Sequence, residues 1–413
     1  MKILYVCHRF PFPPKRGGKI RPFNMIRHLN RTHEVTVASL VRSDAEAEEG
    51  QGLREHCSRF EMVPVRNAVQ TARMIARLPT LAPSSIGYFH SARLARCVAR
   101  LLAGESFDLA FIHCSSVAHY VADAIGIRKI LDFGDMDSQK WLEYARYKPF
   151  PMNLGYRLEG IKLAAEERRL ARKFDFCTAT TRGEWETLES YATGVPADWF
   201  PNGVDSEFFA PDGTRYDEHT LCFIGRMDYY PNQACVREFC RDVFPRIREL
   251  RPDAEFLIVG ADPDPSILAL GKQPGVTVTG SVSDVRPYLR RSAAMVAPLR
   301  IARGTQNKIL EAMATGVPVI TSSTAARGVD ALPEQHLMVA DRASDIADAA
   351  IRMMRDPDIR DHYAKAGRAR VLSHHAWDAS MQRLDRIIER CMTAPEPLST
   401  PMATAASRAP RMN

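Results

Sequence analysis

Lys308 and Glu311 stand three residues apart in the stretch 297–322, APLRIARGTQNKILEAMATGVPVITS. On a helix that spacing puts a cation and a carboxylate on one face, one turn apart. Such a pair suits a ligand that carries both phosphate and ribose. Just ahead lies a basic loop with Arg300, Arg303 and Gly304. Thr305, a favoured N-cap type, is expected to start the helix, and Gly316 to end it. A helix start presents unpaired N–H groups and a partial positive charge, so it receives anions. The plainer alternative is an exposed Lys–Glu pair on an ordinary amphipathic helix.

Other residues could add to this chemistry. Gly225 and Arg226 follow the apolar run LCFI. Glycine there lets backbone approach a ligand, and Arg226 can fork onto diphosphate oxygens. Gly17 and Gly18, in Lys15-Arg16-Gly17-Gly18-Lys19, form an expected glycine turn between a strand and a helix. Carboxylates crowd LDFGDMDS, with Asp135 and Asp137 beyond the strand. Asp137 or Ser138 can cap the next helix, which leaves Asp135 without a structural reason. His113 ends another strand-like run, where either an acceptor-side role or a satisfied core histidine fits. Asp135 and Asp137 also resemble a metal-holding pair. We expect no metal and no cofactor, because Arg, Lys and a helix end can neutralise a diphosphate.

The elements that must hold these groups alternate. Strand-like runs at 2–8, 34–40, 60–65, 108–114, 129–133 and 176–180 are separated by helical patterns. The same alternation returns at 221–226, 255–260, 276–280 and 297–322. It predicts α/β architecture with parallel sheets, helices on both faces, and ligands beyond the carboxyl ends of the strands. Residues 200–213 are turn-rich and read as a boundary. The expected division is 1–200, 201–374, a helix at 375–392 that crosses back, and a disordered tail at 393–413.

LEAMATGVPVITS resembles the signature of family-4 retaining glycosyltransferases, which have two Rossmann-like domains facing a cleft, the GT-B fold. PNGVD resembles their interdomain segment. CHRFPFPPKRGGKIRPFNMIRHL is similar to sugar transferases associated with exosortase/PEP-CTERM exopolysaccharide systems. The resemblance covers most of residues 1–392. It implies that Glu311 holds the donor ribose, and that Arg226 and Lys308 neutralise the diphosphate. It places Gly17, Gly18, Gly225, Val282, Arg303, Gly304 and Thr305 around the donor. Asp135, Asp137 and His113 fall on the acceptor side. Two positions depart from the pattern. The earlier family Glu is replaced by Arg303, and the Lys after Arg226 by Pro231.

The bulk numbers agree with a globular chain. Its 413 residues are 45% hydrophobic and 25% charged, and no apolar run approaches roughly 18 residues. Nine scattered cysteines without a C-x-x-C pair favour reduced, buried thiols. The net charge is +7, and Arg66, Arg73, Arg77, Arg93, Arg96 and Arg100 fall in a segment free of acids. That segment fits either an anionic membrane surface or a solvated helix face. No nucleic-acid module accompanies it. The expectation is a cytoplasmic enzyme, peripheral at the inner membrane face. It would move a sugar from a nucleoside-diphosphate donor to a glycan or lipid-linked hydroxyl. Alternatives are a nucleotide-sugar-binding protein without transfer, or a nucleotide-sugar epimerase of the same fold.

Overall fold

The computed structural model describes residues 1–14 and 17–394. The first sheet contains β1 (Lys2–Cys7), β2 (Glu34–Val41), β3 (Arg59–Pro64), β4 (Leu109–His113), β5 (Arg128–Gly134), β6 (Phe176–Ala179) and β7 (Ala197–Trp199). Its order is β3-β2-β1-β4-β5-β6-β7, and every pairing is parallel. The second contains β8 (Asp217–Ile224), β9 (Glu255–Val259), β10 (Val276–Gly280), β11 (Ser292–Ala297), β12 (Val319–Thr321) and β13 (Met338–Val339). Its order is β10-β9-β8-β11-β12-β13, again parallel throughout. This is the GT-B arrangement of two Rossmann-like domains.

Parallel pairing requires crossover helices, and these cover both faces. The central strands are therefore apolar on both sides. Leu4 and Val6 of β1 enter one core, while Ile3, Tyr5 and Cys7 enter the core on the opposite face. That is the two-residue alternation of a strand. All nine cysteines are buried and free. No described helix is long and apolar enough to cross a membrane.

The chain crosses between domains twice. The helix Trp377–Thr393 inserts Met381, Leu384, Ile387, Ile388 and Cys391 into the first domain's core, beside Phe200. Fully buried side chains of this size contribute about 1.5–3 kcal/mol each before entropy is counted. That is enough to hold the helix to the first domain. The two crossing segments also meet: Val204 N donates to His375 O at 2.8 Å. A Cβ on Gly203 would fall 2.5 Å from the Trp377 ring, so only glycine lets them touch.

Some sequence expectations need correction. β7 and β13 have three and two residues, too few for any periodicity to show. Gly17 and Gly18 are not a turn; they begin the helix Gly17–Leu29. Lys15 and Arg16, before them, lie outside the described residues. Thr393 belongs to the last helix, and the rest of the expected tail from 395 onward also lies outside the described residues.

Candidate active site

On the second domain the site begins where β8 and β9 end. Gly225 has φ 153° and Gly260 φ 156°. A Cβ on Gly260 would lie 1.8 Å from Gly225 O, so the two strand ends touch backbone to backbone. Arg226 follows. It forks onto Asp228 at 3.1 and 2.7 Å and also binds Asp262. These are exposed pairs, worth about 0–1 kcal/mol each, so a diphosphate can exchange for them.

Behind Arg226 lies a residue that the sequence reading did not assign. Asn232 Nδ2 donates to Arg226 O at 2.7 Å, and Lys308 Nζ donates to Asn232 Oδ1 at 2.6 Å. A Cβ on Gly225 would sit 2.8 Å from Asn232 Nδ2 and 3.4 Å from Lys308 Cε. Gly225, Asn232 and Lys308 thus form one packed corner. Burial lowers the Lys308 ammonium to about 8, against the pull of Cys235 and Glu311. Burial likewise pushes Glu311 up to about 7, and the Lys308 charge opposes it.

The helix carrying both residues is Asn307–Ala314, capped at Gln306 without a side-chain bond. It starts later than expected because Gly304, at φ 63°, turns the chain before it. The Gln306 amide folds back onto Arg303 O and Gly304 O at 3.2 and 3.3 Å. Thr305 is therefore not the cap. Among the described residues, Thr305 Oγ1 and Asn307 Oδ1 are buried with no hydrogen-bond partner. A helix start with orphaned polar atoms can receive a polar ligand. Gly17 faces it from the first domain, where its Cβ position is 3.9 Å from Asn307 Nδ2. Val282 lies in the loop after β10, half-buried against the second domain's core.

On the first domain, β5 ends at Gly134. Asp132, fully buried, receives Arg21 at 3.0 and 3.0 Å, His113 Nδ1 at 2.7 Å and Thr178 Oγ1 at 2.9 Å. Burial would raise this carboxyl, but Arg21 and His113 outweigh it and hold it well below the usual range. Arg21 also donates to Phe200 O and Asn202 Oδ1, tying the network to the crossover. His113 is thus a buried partner of Asp132, the core-histidine alternative of the two that its strand end allows. Asp135 is half-buried and accepts from Thr180 Oγ1 at 2.8 Å. Its carboxylate lies against Gly304 of the other domain, where a Cβ would be 2.1 Å from Oδ1.

Asp137 begins the helix Asp137–Ala145, and neither it nor Ser138 caps that helix. Carboxylates from elsewhere do so. Glu184 accepts from Met136 N at 2.9 Å, and Glu167 from Ser138 N at 3.0 Å. Burial pushes both up to about 7. The Asp137 carboxyl is also raised, by burial and by Asp135, with Lys140 opposing. The Arg303 guanidinium is engaged by the first domain. Its Nε donates to Glu143 at 2.7 Å, and Nη1 lies 3.8 Å from Glu184, across the seam. No local motif marks Glu143 or Glu184; only the folded chain brings them to Arg303.

The second-domain part of this geometry lies within a segment that matches a known family. Residues 218–356 match the model of the family Glycosyl transferases group 1. The group 1 segment holds Gly225, Arg226, Asn232, Lys308 and Glu311. The chain is 29% identical over 213 residues to a phosphatidyl-myo-inositol mannosyltransferase of Mycobacterium leprae, covering 49% of this chain and 56% of that protein. It is 27% identical over 243 residues to a GDP-mannose-dependent monoacylated alpha-(1-6)-phosphatidylinositol monomannoside mannosyltransferase of Corynebacterium glutamicum, covering 54% and 64%. The chain thus spans a little over half the length of the curated relatives it matches. Among solved structures it resembles sucrose-phosphate synthase of Thermosynechococcus elongatus, with TM-score 0.66, 16% identity and coverage of 94% and 98%. Anabaena Alr3699/HepE in complex with UDP also gives TM-score 0.66, with 12% identity and coverage of 94% and 100%. At these identities the structures speak for the fold.

Proposed function

We propose that this chain is a retaining hexosyltransferase. It takes a sugar from a nucleoside-diphosphate donor and passes it to a hydroxyl of a glycan or lipid-linked acceptor in exopolysaccharide assembly. The reading is carried by the Gly225–Asn232–Lys308 corner. There a buried ammonium stands beside a helix start with orphaned polar atoms, within the group 1 segment. In the reaction the bond from the anomeric carbon to the diphosphate oxygen breaks, and the acceptor oxygen bonds to the same face. The acceptor proton leaves with the departing diphosphate. Lys308, Arg226 and the start of the helix neutralise that leaving group, and Glu311 holds the ribose. Asp135, at the seam, orients the acceptor hydroxyl. The GDP-mannose dependence of the Corynebacterium glutamicum relative favours a guanosine diphosphate. Lys308→Ala should lower kcat by roughly 100-fold, as removal of one charge-stabilising group does; near-normal turnover would sink the assignment.

We place the enzyme at the cytoplasmic face of an anionic membrane. The helix Asn67–Arg77 and the loop after it expose Ile75, Leu78 and Leu81, the last 94% exposed, with Arg77 in the helix's last turn. Lys162 donates to Leu78 O, bringing in the exposed Leu154 and Leu158 of the helix Met152–Ala171. Apolar tips beside cations suit anionic headgroups. Arg100 is not part of this face, since it binds Glu61 at 3.2 Å. Sedimentation with vesicles should depend on anionic lipid, and equal binding to neutral vesicles would remove this placement.

Arg303 also supports a second reading, a nucleotide-sugar-binding protein without transfer. Its guanidinium is engaged by Glu143 rather than set beside a sugar. Donor binding with no product from any acceptor, and no conversion of the donor itself, would decide for it.

A further inference from the structure

A cavity of about 410 Å³ opens between the domains, beside the seam. Its volume lies within the range of small-molecule sites, about 300–1,000 Å³. Aromatic rings form its walls. Trp141, Tyr144 and Tyr156 come from the first domain, and Tyr229 and Tyr230 from the second. Trp141 and Tyr156 lie 4.9 Å apart between centroids, tilted by 43°. Tyr144 and Tyr229 meet across the gap at 3.1 Å between hydroxyls. The polar groups are few and gathered. Lys148 Nζ lies 5.9 Å from the Tyr156 centroid and 4.8 Å from that of Tyr230. Asp137 and Lys140 line the cavity's floor. Burial opposes the Lys140 charge, but Asp137, Tyr229 and Asp135 hold the ammonium protonated.

We infer that this cavity is the acceptor subsite, and that it takes a pyranose. The inference rests on the transferase reading and names its acceptor class. A pyranose has one apolar C–H face and a rim of hydroxyls. Tilted rings with phenolic tips match both, because an aromatic face packs apolar surface while its polar handle hydrogen-bonds. A flexible lipid chain would offer Asp137 and Lys140 no hydrogen bond in exchange for the water it displaces, at a cost. A quaternary ammonium, the other common ligand of aromatic walls, meets two lysines here. The position fits as well. Asp137 is two residues from Asp135, which lies against Gly304, and Tyr229 is three residues from Arg226. The cavity is therefore lined by neighbours in sequence of both Asp135 and Arg226. Because Tyr229 and Tyr230 come from the second domain, the subsite is complete only when the domains close.

The test uses the full chain and saturation-transfer NMR. The probes are the methyl pyranosides of glucose, mannose, galactose and glucuronic acid. Octyl phosphate and pentaerythritol serve as a lipid-phosphate and a ringless polyol. At least one pyranoside should bind through its C–H protons, and Tyr156→Ala should weaken it roughly tenfold. Tyr229→Ala, on an exposed position of the other domain, should do the same without disturbing the first domain's fold. Binding of octyl phosphate alone, binding of no pyranoside, or binding unchanged in both variants overturns the inference. Calorimetry with UDP and GDP separates the two claims. Nucleotide binding without pyranoside binding would remove the subsite and leave the transferase reading. Pyranoside binding without nucleotide binding would remove the transferase reading, and with it the acceptor role, leaving only a pyranose site.

Discussion

Arg303 of the second domain donates to Glu143 of the first at 2.7 Å, and Glu184 lies 3.8 Å away on its other side. Arg303 is thus a clasp between the domains. Arg303→Ala should leave the nearly buried Glu143 without its cation. The loss is about 1 kcal/mol, kept low because Arg303 itself is 36% exposed. Arg303→Glu should be worse, since it sets a carboxylate against Glu143 and Glu184. Thermal unfolding and small-angle scattering check both. A more open average shape is expected for Arg303→Glu; unchanged scattering and stability would mean the contact holds nothing.

The Lys308–Glu311 corner gives the protein a pH signature. Glu311 is raised from 4.5 to about 7 in the fold, so its contribution is full below pH 4.5 and is lost as pH rises through 7. Lys308 is lowered from 10.5 to about 8, so its contribution is full above pH 10.5 and is lost as pH falls through 8. Denaturant titrations between pH 4.5 and 7 should show wild type losing stability relative to Glu311→Gln. Parallel profiles would contradict the buried carboxyl. In kinetics, kcat/KM should fall above about pH 8 as Lys308 loses its proton. A bound diphosphate should move that limb to higher pH in kcat.

Asn232 joins Lys308 to the Arg226 backbone and touches no expected reacting atom. It is a positioning residue. Asn232→Ala should lower kcat/KM for the donor roughly tenfold, the worth of one charge-assisted hydrogen bond. Asn232→Asp should restore the partner for the ammonium and shift the alkaline limb upward. A pH profile identical to wild type in the Asp variant would show that the contact does not govern Lys308.

The sheets were legible in sequence because their strands are buried on both faces. Runs such as ILYVC and LCFIG carry that burial as continuous apolarity. Short edge strands like β13 offered no such run. The Lys308–Glu311 spacing was legible because one helix holds both. The helix start was misread because Gly304 delays it, so Thr305 lost its capping role. His113 looked chemical at a strand end, yet Asp132, well separated in sequence, claims its ring. Glu143, Glu184 and the Arg21 fork are pairings between distant elements, which no local spacing encodes.

The central claim is a donor site at Lys308 and Glu311. It is tested most directly by calorimetric binding of UDP, GDP, ADP and dTDP, without added metal, to wild type and to Glu311→Ala. One nucleotide should bind, and the substitution should weaken it at least roughly tenfold, as loss of a buried ribose contact would. Binding by none of the four, or an affinity that Glu311→Ala leaves unchanged, would contradict the account.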